Sequence, residues 1–83
     1  MNSPENIPIN WDEIIKSNKG VIASDRKRCG TIIAQTEDDI IISEGVVNRH
    51  QFIMPKSKVD YYDGIEVYLN IPSELLSAFE MKK

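Results

Sequence analysis

Only one of the 83 residues is a cysteine, Cys29. An intrachain disulfide is therefore impossible, and a Cys-rich zinc site within one chain is excluded. Such usage fits a reducing compartment, the cytoplasm. Histidine is as scarce, with His50 alone. One soft ligand of each kind is too few for a His/Cys metal centre. The carboxylates Glu37, Asp38 and Asp39 lack the spacing and glycine of a calcium loop, so no metal is expected. Long apolar runs are missing too. Stretches such as Ile32-Ile33-Ala34 and Ile40-Ile41-Ile42 fall far below the roughly 20 residues of a spanning helix. The polar start, Met1 to Asn10, carries no apolar h-region. The expectation is a cytoplasmic protein with no membrane insertion.

Aromatics make up 7%, and 10 basic residues are outnumbered by 13 acidic ones, for a net charge of −3. A general binder of phosphate backbones is normally basic, so nucleic acid is not the expected partner. Glycine is also sparse, and Ser24-Asp25-Arg26-Lys27-Arg28-Cys29-Gly30 offers a single one before a strand. A phosphate loop needs several glycines or a helix N-terminus. No cofactor is expected.

What is present reads as one domain. A chain this short has a thin core, and self-association is a common supplement. Charge comes in blocks. Lys16, Lys19, Arg26, Lys27 and Arg28 are basic, broken by Asp25. Glu37, Asp38, Asp39 and Glu44 are acidic. Such blocks either pair across neighbouring loops or form a basic face that meets an acidic partner or a second copy.

Residues 1–19 read as an N-terminal arm and a short helix, and 20–83 as a β-rich domain with a C-terminal helix. Asn10 with Glu13 resembles a capping box, Gly20 is a stop, and Trp11, Ile14 and Ile15 share a face. The helix is expected over Trp11 to Ser17. From Gly20 to Leu69 short β-branched runs alternate with turn residues. About six strands at such spacing argue a small antiparallel barrel or roll. Asp63-Gly64 signals a two-residue type I′ hairpin. Val59, Tyr61, Ile65, Val67 and Leu69 are then expected to face inward. After Pro72, Leu75, Leu76 and Phe79 share a face of a second helix.

Three chemistries are testable on these residues. Basic neighbours could activate Cys29, with His50 as the only available base, although nothing in the spacing brings the two together. RNA contact would use Arg26, Lys27, Arg28 and Arg49, with Phe52, Tyr61 or Tyr62 stacking. Adjacent Tyr61 and Tyr62 point to opposite faces of a strand, so one is core and one surface. Protein contact would use the same basic residues with Trp11 and Phe79.

The order of strands and turns resembles a PRC-barrel domain from Gly20 to Leu76. Residues 20–43 are similar to its first half, with an acidic turn and a glycine-led strand. Phe52, Met54, Pro55, Lys56, Ser57, Val59, Asp63, Gly64, Val67 and Leu69 resemble its second. One departure is that Arg26, Lys27 and Arg28 fill the gap between Asp25 and Gly30, where the family has a small turn. The resemblance implies a small antiparallel β-barrel of about six strands with a helix at each end. It also implies a non-enzymatic protein–protein adaptor, in a cytoplasmic and archaeal setting such as cell division, or alternatively an RNA- or ribosome-associated maturation factor. The expected partner is a protein, with a homodimer favoured. Arg26, Lys27, Arg28, Arg49, Trp11 and Phe79 are the expected contact residues, and no catalytic residue is expected.

Overall fold

The computed structural model describes residues 9–45 and 49–81. The arm expected at the start of the chain lies largely outside them. Helix α1 spans Trp11–Lys16. Asn10 is extended, and its side-chain oxygen accepts the Glu13 N–H at 3.2 Å, which satisfies one of the donors a helix start leaves unpaired. Ile14 is fully buried, and Trp11 and Ile15 pack on the core from its margin.

Six strands follow: β1 (Gly20–Ile22), β2 (Arg28–Gln35), β3 (Asp39–Glu44), β4 (His50–Pro55), β5 (Val59–Tyr62) and β6 (Glu66–Leu69). They form one sheet in the order β4-β3-β2-β1-β6-β5. All neighbours are antiparallel except β1 and β6, which run parallel. The expected all-antiparallel barrel is corrected on both counts. The sheet is mixed, because β4 and β5 run in the same direction, which leaves β6 parallel to the β1 strand it pairs with. It is also not closed, since β4 and β5 are its two edges.

The core lies on one face. Val21, Ile32, Ile40, Ile42, Met54, Val67 and Leu69 form a single cluster with Ile14 and with Leu76 of a C-terminal segment. Both helical segments therefore cover the same side of the sheet. The C-terminal segment Ser73–Phe79 is a 3₁₀ helix rather than an α-helix. In 3₁₀ geometry residues i and i+3 eclipse, so Leu76 and Phe79 turn inward while Leu75 is left 46% exposed. The expected three-residue face is reduced to two.

The β5–β6 hairpin forms with a different inward set. Tyr62, Val67 and Leu69 are buried, whereas Ile65 is 71% exposed in the turn. Tyr61 is on the other face, stacked on Tyr68 with ring centroids 4.5 Å apart. The cause is a bulge between Val59 and Tyr61, because one extra residue flips every side chain beyond it. The turn is also not type I′. Positive φ occurs at Gly64 but not at Asp63. Instead the Asp63 carboxylate accepts the N–H groups of Ile65 (2.8 Å) and Glu66 (2.7 Å), an Asx-type turn.

Both sheet edges are blunted. On β4 the Gln51 carbonyl accepts the Met81 N–H at 2.7 Å, Phe52 bridges to Glu80, and Pro55 has no N–H to offer. Edge strand β5 is only 4 residues long and carries the bulge. These are ordinary devices against strand addition.

Candidate functional site

The basic stretch folds as a tight connection between β1 and β2. Arg26 N–H bonds the Ala23 carbonyl and Ala23 N–H bonds the Lys27 carbonyl, both at 2.9 Å. Arg26 sits at φ 71°, a left-handed conformation unusual for a long side chain. Asp25 turns back and accepts from the Ser73 N–H (3.2 Å) and hydroxyl (2.8 Å). The hydroxyl bond is the main reason its carboxyl titrates below the usual range. This clamp ties the loop to the C-terminal segment, and Arg26, Lys27 and Arg28 are exposed. Arg28 meets Glu66 at 2.8 Å across Gly20.

Behind this loop is a cleft of about 340 Å³ lined by Lys27, Cys29, Glu44, His50, Leu76 and Glu80 among others. The fold thus brings Cys29 and His50 to one cleft, which their spacing in the chain did not indicate. The chemistry is not that of an activated thiol. Cys29 is 2% exposed, and its Sγ–H points at the Lys27 carbonyl at 3.5 Å. Burial pushes the thiol up to about 11, so it stays protonated at neutral pH and is a poor nucleophile. His50 Nδ1 faces Glu80 Oε2 at 2.6 Å, and this bond raises its pKa. The imidazole is engaged with Glu80, not with the thiol. Among the described residues no group of three or more His, Cys, Asp or Glu is placed to hold a metal ion.

The remaining expected site residues fall in different places. Trp11 and Phe79 pack against the core, and the Lys56 ammonium lies 5.7 Å from the Trp11 ring centre. Arg49 is exposed just before β4. Phe52 and Tyr62 are each 6% exposed within the core, so neither can stack a base. Tyr61 can, together with Tyr68, which sequence reasoning passed over as a partner. A recess of about 160 Å³ beside them is lined by Arg26 and also by Asp60.

The uncovered sheet face is the broad surface that sequence reasoning missed. The pairings Thr31–Ser43 and Ser43–Gln51 make a polar row across β2, β3 and β4. The next row is apolar: Ala34 opposite Ile41, and Ile41 opposite Ile53. Ile33 lies beside it, and a bulge between Ile32 and Ala34 is what turns Ala34 outward as well; Ile33 is 37% and Ile53 39% exposed. A signal was available. Three consecutive apolar residues in a strand must put at least one on each face, and both Ile40-Ile41-Ile42 and Phe52-Ile53-Met54 do so.

No family model, no curated protein and no solved structure matches this chain.

Proposed function

We propose that the chain is a non-enzymatic protein-interaction module of the PRC-barrel kind, working in a cytoplasmic assembly such as an archaeal division apparatus. The observation that carries this reading is the apolar row Ile33, Ala34, Ile41 and Ile53 on a face that neither helical segment covers. Exposed apolar surface of this kind marks an interaction site, and a flat sheet face suits a protein better than a small molecule, which prefers a concave pocket. The protonated, buried state of Cys29 supports a non-catalytic role for the adjacent cleft.

The test is binding through that face. Ile41→Asp is expected to abolish capture of the partner by the purified chain while leaving its melting curve intact. Retained capture, or loss on altering the cleft residue Ser77 instead, would move the site elsewhere.

A second reading, contact with single-stranded RNA, draws on the Tyr61–Tyr68 stack beside Arg26. Aromatic faces with nearby arginine are how such strands are held. Asp60 lines the same recess and Glu66 neutralises Arg28, which opposes a phosphate there. Retention on an RNA column that falls steeply with salt would favour this reading, and no retention at low salt removes it.

A further inference from the structure

The C-terminal segment is held at its two ends and by little between them. Its 7 residues, Ser73–Phe79, are many for a 3₁₀ helix, whose hydrogen bonds are poorly aligned and whose runs rarely exceed about 3–4 residues. Only Leu76 among them is buried, with Phe79 packed beside it from the margin. The cleft of about 340 Å³ separates Leu76, Ser77 and Glu80 of this segment from Cys29, His50 and Phe52 of the sheet. The seat is therefore not filled, and the segment forgoes the dispersion contacts of a packed core. Its base is tied by Ser73 to Asp25. Its tip is tied to edge strand β4 in three ways. Met81 N–H donates to the Gln51 carbonyl at 2.7 Å, Glu80 bridges to Phe52, and Glu80 Oε2 meets His50 Nδ1 at 2.6 Å.

We propose that this segment is a pH-sensitive strap whose tip, latched by His50 and Glu80, lifts off edge β4 as His50 loses its proton, while the sheet stays folded. The proposal concerns the covered side of the sheet and stands apart from the apolar row on the other face. Among the described residues, the charged groups that share the cleft with His50 are Glu80 of the strap, Glu44 across the β3–β4 ladder, and Lys27 and Arg28 of the β1–β2 connection. Glu80, first through its hydrogen bond, and then Glu44 favour the imidazolium and hold its pKa above the ordinary value. The two cations oppose this, Arg28 less so because it is committed to Glu66. The latch is thus at full strength below about pH 6.5 and weakens as pH rises through the raised value. A neutral ring can still donate from Nδ1, but without the added strength of charge.

The base of the strap does not follow. The Asp25 carboxyl titrates below the usual range and stays ionised near neutral pH, so Ser73 is the pivot and Glu80 the moving end. Lifting uncovers Phe52 and the Gln51 carbonyl, the edge that the strap otherwise keeps from strand addition.

Amide hydrogen exchange on the full chain tests this at about pH 5.5 and pH 8.5, each rate being divided by the intrinsic rate at that pH. Glu80 N–H, bonded to the Ser77 carbonyl, and Met81 N–H report the tip. Ile32 N–H, bonded to the Lys19 carbonyl on a fully buried residue, reports global unfolding. The two tip amides are expected to share one protection factor, roughly tenfold or more below that of Ile32 and unmoved by urea too dilute to unfold the chain. That factor is expected to fall roughly two- to five-fold from the lower pH to the higher, the span of an exposed ion pair. The fall is expected to vanish in His50→Gln and in Glu80→Gln, and to survive in large part in Glu44→Gln. Thermal melts establish that each variant folds. Tip amides with the protection and urea response of Ile32 overturn the strap, as does exchange of Met81 without Glu80. A tip indifferent to pH, or a fall that persists in His50→Gln or in Glu80→Gln, overturns the latch.

Discussion

Replacing Gly30 with alanine probes the close approach of β2 to β3 on which the uncovered face is built. Gly30 lies at φ 126°, a region that essentially only glycine occupies, so any other residue there carries roughly 1–3 kcal/mol of backbone strain. The added methyl also has nowhere to go. It would run into the Ser43 carbonyl oxygen, with the carbonyl carbon 2.9 Å away and the Glu44 Cβ at 3.1 Å. These are mostly backbone atoms of β3 and cannot swing aside. Overpacking of this sort costs about 1–3 kcal/mol. A combined loss of about 3 kcal/mol is expected, against a total of roughly 4–12 kcal/mol for a chain of 83 residues. At about 4–8 °C per kcal/mol the melting temperature falls by roughly 12–24 °C. Gly20→Ala is the matched control. Its methyl would meet Arg28 Nη1 at 3.2 Å, the free end of a flexible side chain, and no positive φ is required there. A change within about 1 kcal/mol is expected. Thermal and urea unfolding followed by circular dichroism read both, with an unchanged m-value showing that stability alone has moved. The reasoning fails if Gly30→Ala melts with the wild type, or if Gly20→Ala costs as much.

Cys29 is expected to resist a thiol reagent at pH 8 until the chain is unfolded by urea, because burial keeps it protonated; rapid labelling of the native protein contradicts this. His50 has a folded pKa raised chiefly by its Glu80 hydrogen bond. Its contribution to stability is therefore full below about pH 6.5 and fades as pH rises through the raised value. His50→Gln is expected to flatten that decline, and a ring that titrates at or below 6.5 by NMR would refute the assignment. Asp63→Ala leaves the Ile65 and Glu66 N–H groups without their acceptor and is expected to lower stability by about 1–2 kcal/mol. The Asp63 carboxyl is held low first by the Glu66 N–H. Its support is present above about pH 4 and is lost as pH falls through the lowered value. Wild type and Asp63→Ala should thus converge in acid, and a constant gap between them argues against the Asx turn.

What could be read from the sequence was local. The Asn-x-x-Glu spacing signals the cap that Asn10 makes, and the Thr36–Asp39 cluster becomes a turn in which the Asp39 N–H bonds the Thr36 hydroxyl at 3.0 Å. The β-rich character followed from the spacing of short β-branched runs. What escaped was non-local or out of period. Nothing in Gly20-Val21-Ile22 states that it will pair in parallel with Glu66-Val67-Tyr68, because strand choice is settled by the packing of the whole sheet. The bulge near Asp60 exchanged Tyr61 for Tyr62 in the core, since an alternation rule carries no information about an extra residue. The C-terminal segment looked α-helical because Leu75, Leu76 and Phe79 have α-helical spacing, whereas the 3₁₀ form aligns only Leu76 and Phe79, and its ends are held at Asp25 and Phe52, far away in the chain.

The same irregularities create the surface on which the functional reading depends. A regular β2 would alternate strictly, and with Ile32 in the core Ala34 would turn inward beside it, leaving Ile33 alone outside. The bulge between Ile32 and Ala34 instead sends both Ile33 and Ala34 outward beside Ile41 and Ile53. That burial is forgone by a thin core with little to spare, so the exposure calls for a compensating contact. The charges lead to the same place. Arg28 is matched to Glu66 within the chain, whereas Arg26, Lys27, Glu37 and Asp38 are exposed at the ends of the strand that carries the bulge.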